Sequence, residues 1–173
     1  MAQSRTNGAN VLPVLPSMLP GMICSSSQLN IHTEKAPQFI DITAEVAEVV
    51  AQSQVEFGMV VVFSRHTTAA IKINENEPLL IEDMSERLAK LFPADDYYRH
   101  NDFEVRTVNM TDEERPNGHA HCQSLLLSTS ETIPVVNGQL GLGRWQRIFL
   151  IEMDHARLRE ITVFSFGQPG LKK

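Results

Sequence analysis

The stretch from Arg115 to Gln123 reads RPNGHAHCQ, and it sets two histidines two residues apart directly after a Pro-Asn-Gly turn signal. What that spacing can do depends on the backbone beneath it. From His119 to Leu127, positions 119, 121, 123, 125 and 127 alternate with Ala120, Cys122, Ser124 and Leu126, which reads as a strand. In a strand both imidazoles share one face with Cα atoms about 7 Å apart, near enough to chelate one ion, whereas a helix sets them on opposite sides. Neutral imidazole suits divalent zinc, nickel or iron, and a third ligand is needed to complete such a site. His100 in DDYYRHND and His66 in SRHTTA are the two candidates. The competing reading makes His119 and His121 half-buried strand residues satisfied by nearby carbonyls, with His66 and His100 unrelated to them. His32 and His155 are assigned to the surface.

Other polar groups gather at the ends of apolar runs. Ser64, Thr67 and Thr68 close the run Met59–Phe63, where their hydroxyls either bind phosphate or simply end a strand. Asn74, Glu75 and Asn76 lie between an apolar strand and Pro78; here the alternatives are ligand binding and capping of the next helix by Asn76. In WQRIFLIEMD, Glu152 falls on the strand face of Ile148 and Leu150, and a buried carboxylate requires a partner. Arg157 and Arg159 are candidates for that partner, for a fork holding an anionic substrate, or for ordinary surface positions.

The elements that would position these groups follow from periodicity. Leu29 and Ile31, then Phe39, Ile40 and Ile42, read as strands. Thr43 is placed to cap a helix in which Val46, Val49 and Val50 recur until Gly58. Met59–Phe63 reads as a buried central strand. Pro78 opens a second helix carrying Leu80, Met84, Leu88 and Leu91, which stops before Pro93. The rest reads as strands at Phe103–Val108, His119–Leu127, Thr132–Val136, Arg147–Met153 and Ile161–Phe166. Asn137-Gly138 marks a two-residue hairpin, so part of the sheet is antiparallel. The expected class is α+β: two main helices packed on a mostly antiparallel or mixed β-sheet.

Composition narrows the functional classes. A chain of 173 residues, 42% hydrophobic and 21% charged, suits one globular domain. The net charge of -6 argues against nucleic acid as a partner, though a local basic pocket can still hold a phosphate. No stretch approaches a membrane span. Cys24 and Cys122 are too few for a disulfide framework and suit a reducing, cytoplasmic setting. Residues 1–27 read as an extension; a signal peptide is the alternative, but Pro13, Pro16 and Pro20 interrupt its only apolar stretch. Residues 28–167 form the expected domain and 168–173 a tail.

The separated motifs SRHTTAAIKINENE, YYRHND, NGHAHCQSLL and PVVNGQLGLGRWQRIFLIEMDHARLRE occur in an order that resembles the YjbQ family, also called UPF0047. The resemblance implies a compact α+β fold, a homotrimer, a histidine-lined site and weak thiamine-phosphate synthase activity. His66 matches the histidine of the family's HTTA motif, His100 that of its tyrosine-rich segment, and His119 and His121 those of NGHAH. Asn74, Glu75 and Asn76 match INEN, and Gly138 to Gln146 meet GxLxLGxWQ. Arg144 departs from the small hydroxyl residue usual at its position, and the insert Phe103–Arg115 separates two motifs more widely than in compact members.

These lines together lead to an expected site. A divalent metal ion, zinc or magnesium-like, is held by His100, His119 and His121, with His66 in reserve as a ligand. His66 and Glu75 are the catalytic candidates, while Ser64, Thr67, Thr68, Asn74, Asn76, Arg157 and Arg159 bind a small phosphorylated substrate. The reaction expected joins a pyrimidine pyrophosphate to a thiazole phosphate. Metal-assisted hydrolysis, with Glu75 or Asp102 as base, and a non-catalytic metal-stabilised oligomer are the rival readings.

Overall fold

The structure, a computed structural model, describes residues 21–170 and the backbone of residues 7–11. Among the described residues, two antiparallel sheets and three α-helices make the fold. The first sheet contains β1 (Asn7–Val11), β2 (Ile23–His32), β4 (Val55–Ser64), β6 (Ser130–Val136), β7 (Gln139–Leu140) and β9 (Leu158–Pro169), in the order β1-β2-β9-β4-β6-β7. The second contains β3 (Gln38–Asp41), β5 (Ala69–Glu75) and β8 (Gln146–Glu152), in the order β3-β8-β5. The helices are α1 (Thr43–Ser53), α2 (Pro78–Leu91) and α3 (Gly118–Ser124). The α+β class with antiparallel pairing thus holds throughout. β1 and the start of β2 fall within the segment read as an extension, while Pro13, Pro16 and Pro20 lie outside the described residues.

Strand alternation decides which side chains meet. Leu29, Ile31, Val60, Val62, Ile133, Val135, Ile161 and Val163 line the inner face of the first sheet, against Ile71, Ile148 and Leu150 of the second. Val46, Val49 and Val50 of α1 close this core at their helical spacing. Phe149, Ile151 and Met153 point the other way and pack with Ala70, with Leu88 of α2 and with Ala120 of α3. β8 is therefore covered on both faces, which accounts for its uninterrupted apolar run. Each large apolar side chain fully buried there contributes about 1.5–3 kcal/mol.

Four local expectations are corrected. The strand buried on both faces is β8 and not Met59–Phe63, because Met59 and Phe63 of β4 stand 45% and 42% exposed on the outer side of the first sheet. The first helix ends at Ser53, where Gln54 takes a left-handed conformation and β4 begins. Phe103–Val108 is a series of turns instead of a strand. Its Arg106 guanidinium donates to the carbonyls of His100, Val108 and Asn109 and to Glu114 Oε1, so the segment folds around one side chain.

The fourth correction concerns the histidines. Gly118–Ser124 is a helix whose buried positions Ala120 and Gln123, followed by the half-buried Leu127, follow a three- and four-residue step. The apolar alternation of an extended strand coincided with that pattern. Capping also differs in detail: Asp41 Oδ1 accepts from Thr43 N–H at 3.0 Å, and Glu77 accepts from the N–H groups of Leu79 and Leu80 at 3.0 and 2.7 Å. Glu77 thus performs the capping expected of Asn76, whereas α1 opens at Ile42 without a side-chain cap, Asp41 holding only the Thr43 N–H and hydroxyl. The Asn137-Gly138 hairpin joins β6 to β7 with φ of 53° and 69°.

Candidate functional site

The helix α3 and a short 3-10 turn, Arg99–Asn101, are docked end to side. Asn101 Oδ1 accepts from the N–H groups of Asn117 and Gly118 at 3.0 and 2.8 Å, supplying acceptors for the opening of the helix. Gly118 lets the two approach, since a Cβ there would lie 2.5 Å from Tyr98 Cβ. This docking brings His100 and His121 edge to face, ring centres 4.6 Å apart. His119 points elsewhere, its ring 6.5 Å from that of Tyr98. On a helix, two residues apart means roughly opposite sides, so the shared face expected for His119 and His121 is absent.

Two ring nitrogens, His100 Nε2 in this pair and His119 Nδ1 away from it, are buried without a hydrogen-bond partner, as is Asn117 Oδ1. Burial lowers the pKa of His119, with the Asp154 charge and the Met153 main chain opposing it. Burial also lowers that of His121, assisted by the neighbouring His100. Both rings thus favour the neutral form. Neutral imidazoles are what a metal ligand or a hydrogen-bonding acid-base pair requires.

Asp154, which the sequence reading did not single out, stands beside the cluster at the end of β8 with 2% of its side chain exposed. Its Oδ2 accepts from Asn117 Nδ2 at 3.3 Å, and its Oδ1 lies 2.7 Å from His155 Nδ1. Arg157 Nη2 lies 3.1 Å from Asp154 Oδ2 and also against the His155 ring. Burial alone would raise the Asp154 carboxyl, but hydrogen bonds from His155 and Asn117 and the Arg157 charge outweigh it and hold the group below its ordinary value. His155 is therefore part of the site's surroundings and not an isolated surface residue. The signal available was position: polar chemistry at the end of a buried strand.

Beneath Asp154 lies a fully buried ion pair. Arg159 clasps both carboxylate oxygens of Glu152, with Nε donating to Oε2 at 2.6 Å and Nη2 donating to Oε1. Thr33 Oγ1 donates to Glu152 Oε2 at 2.9 Å, and Arg159 Nη2 donates to Thr68 Oγ1 at 3.0 Å. Glu152 Oε1 also accepts from the N–H groups of Met153 and Asp154 at 3.1 and 2.9 Å. Of the two candidate partners for Glu152, Arg159 is the one, and it is 1% exposed. Thr68 serves this pair, and Ser64 donates to Ala69 O at 3.0 Å, so neither hydroxyl is free.

The remaining expected residues lie apart. His66 Nε2 accepts from Glu160 N–H at 2.8 Å, which assigns its proton to Nδ1. Burial, then the Arg159 charge, lowers its pKa, while Glu160 and Glu152 oppose them. Thr67 is exposed next to it. Asn74, Glu75 and Asn76 sit at the other end of β5 from Thr68, six strand positions or about 20 Å away. There Asn76 Nδ2 donates to Asp41 Oδ2 at 2.8 Å. Within one chain Glu75 and His66 do not share a site.

The expected metal can be tested against the donors present. His100 and His121 adjoin and two ring nitrogens lack partners, yet among the described residues no three His, Cys, Asp or Glu side chains group to hold an ion. A three-histidine chelate of His100, His119 and His121 does not fit this arrangement. The arrangement supplies instead the His119 and His121 imidazoles, which favour the neutral form, near the ionised Asp154 carboxylate, groups able to take up and pass on protons.

An antiparallel α+β fold carrying a histidine cluster between a docked turn and a short helix defines the class, and residues 27–168 match the family model described as "UPF0047 protein YjbQ-like". The chain belongs to that family. It is 38% identical over 144 residues to a UPF0047 protein of Methanothermobacter thermautotrophicus, covering 83% of this chain and 93% of that one. The UPF0047 protein YugU of Bacillus subtilis is 33% identical over 141 residues, covering 80% and 97%. Among crystal structures, a YbjQ-like protein of unknown function from Sulfolobus solfataricus superposes with a TM-score of 0.76 at 31% identity, covering 85% of this chain and 99% of that one. An uncharacterized YjbQ/UPF0047 protein of Clostridium acetobutylicum gives 0.69 at 39% identity, covering 79% and 96%.

Proposed function

We propose that the chain is an enzyme acting on a small phosphorylated molecule at the His100–His121 cluster, and that its reaction is thiamine-phosphate synthesis. The observation that carries the reading is the buried, unpartnered ring nitrogen of His100, Nε2, on a residue that lies against the His121 ring and lines a cavity. Buried polar atoms in folded proteins generally find a partner, so an unpartnered imidazole nitrogen on a cavity-lining residue is suited to a ligand's donor or acceptor.

The chemistry asks for charge stabilisation and positioning. The carbon–oxygen bond from the pyrimidine's methylene to pyrophosphate breaks, the thiazole nitrogen bonds to that carbon, and pyrophosphate leaves with the electron pair. Arg99 and Arg106 line a cavity of about 360 Å³ together with His100. Arg106 is already paired with Glu114, whereas Arg99 is exposed and makes no ion pair among the described residues. Arg99 therefore faces the departing pyrophosphate in this reading, with His100 Nε2 holding a polar group of one ring. Glu75 takes no part.

Incubation of purified protein with both substrates and chromatography of thiamine phosphate tests this. Product above an enzyme-free control is expected, falling by about a hundredfold in His100→Asn with the melting temperature kept. No product from the wild type, or full turnover in the variant, defeats the reading. The homotrimer belongs to the same proposal: Phe57, Met59 and Phe63 form an exposed apolar row that association would cover. Light scattering should give three times the chain mass, and a monomer would contradict it.

A further inference from the structure

A second cavity, of about 320 Å³, lies between α2 and the helix-facing side of the second sheet, and no residue of the histidine cluster lines it. Its floor is apolar and rigid: Leu88, Phe149 and Ile151 are buried, with Phe39 half-buried beside them. Leu91 and Leu126 form its rim and are 62% and 59% exposed, a cost to solvation that a ligand would relieve. The volume is that of a small-molecule site.

Three nitrogen donors border the same cavity. Lys72 Nζ donates to Ser128 Oγ at 3.2 Å and to Glu131 Oε1 at 3.0 Å, leaving one of its three N–H groups over. Asn74 Nδ2 has a thioether, Met84 Sδ at 3.0 Å, as its acceptor, and sulfur accepts weakly. Arg87 is exposed and makes no ion pair among the described residues. An apolar floor with a cationic, donor-rich border is complementary to a molecule with an apolar body and one anionic end.

We infer that this cavity binds a small amphipathic carboxylate, its alkyl or aryl body on Phe39, Leu88 and Phe149 and its anionic group toward Arg87, Asn74 and Lys72. Within one chain Asn74, the position matched to the family's asparagine motif, borders this second cavity. The inference is independent of the reaction proposed above.

Isothermal titration with octanoate, and with 1-octanol as its uncharged counterpart, tests the assignment in the full chain. Octanoate should bind at about one per chain and more tightly than octanol. Arg87→Glu should weaken octanoate by about tenfold or more and leave octanol unchanged, because only the charge at the border is altered. Leu126→Glu, at an exposed position that endangers no core, should weaken both ligands without changing the mass seen by light scattering. Failure of octanoate to bind the wild type, or equal binding to all three proteins, overturns the inference. A lower mass for Leu126→Glu overturns it too, since a second copy would then be the occupant.

Discussion

Gly118 lies so close to Tyr98 that the smallest added side chain would set two carbons 2.5 Å apart. That contact holds the 3-10 turn against α3, and through it His100 against His121. Gly118→Ala must push the turn away. We expect it to cost about 1–3 kcal/mol by urea unfolding. The His100 and His121 ring resonances should shift together in NMR spectra; unchanged resonances would show that the cluster does not depend on this approach.

Arg159→Met should cost about 3–5 kcal/mol, because it leaves the Glu152 carboxylate buried without its counter-charge. Adding Glu152→Met to it should recover part of that loss. A double variant no more stable than the single one in urea would mean that packing, and not the stranded charge, dominates the cost.

Stability should fall on mild acidification. Burial first of all holds His66, His119 and His121 below their ordinary 6.5 in the folded chain. The unfolded chain takes up protons first as the pH drops through about 6.5, so the stability gained from neutral imidazoles is complete above that value and is lost below it. Asp154 acts in the same direction at lower pH: its contribution is present above 3.8 and fades as the pH falls further. The urea midpoint should be lower at pH 5.5 than at pH 8, and His119→Gln should narrow the difference. Equal midpoints would mean that the rings protonate as freely folded as unfolded.

Two adjoining imidazoles with no convergent third ligand among the described residues should not make folding depend on metal. Dialysis against a chelator should leave Tm within about 2 °C. A fall of about 5 °C or more, reversed by zinc, would show that a third ligand closes the site.

Most sheet strands from Gln28 onward and the existence of the first two helices were legible from periodicity, β1 and the end of α1 were not, and Glu152 announced a buried partner by sitting on the face of Ile148 and Leu150. α3 was not legible: Ala120, Gln123 and Leu127 satisfy a helical step while His119, His121, Leu125 and Leu127 satisfy an extended one. Only the tertiary contact of Ala120 with the second sheet decides between them. The same ambiguity exchanged the roles of β4 and β8, since two apolar runs look alike until the layers covering them are known. Asp154 escaped notice because its significance arises from Asn117, distant in sequence.

A strand apolar on both sides carries little information about its own alignment: shift it by one residue and oil still meets oil. In β8 that ambiguity is removed by a single charged position. A one-residue slip would turn Glu152 away from Arg159 and onto the layer of Leu88 and Ala120, where an unpaired carboxylate costs several kcal/mol. The ion pair therefore acts as a proofreader of strand alignment, rejecting misregistered chains that hydrophobicity alone would accept.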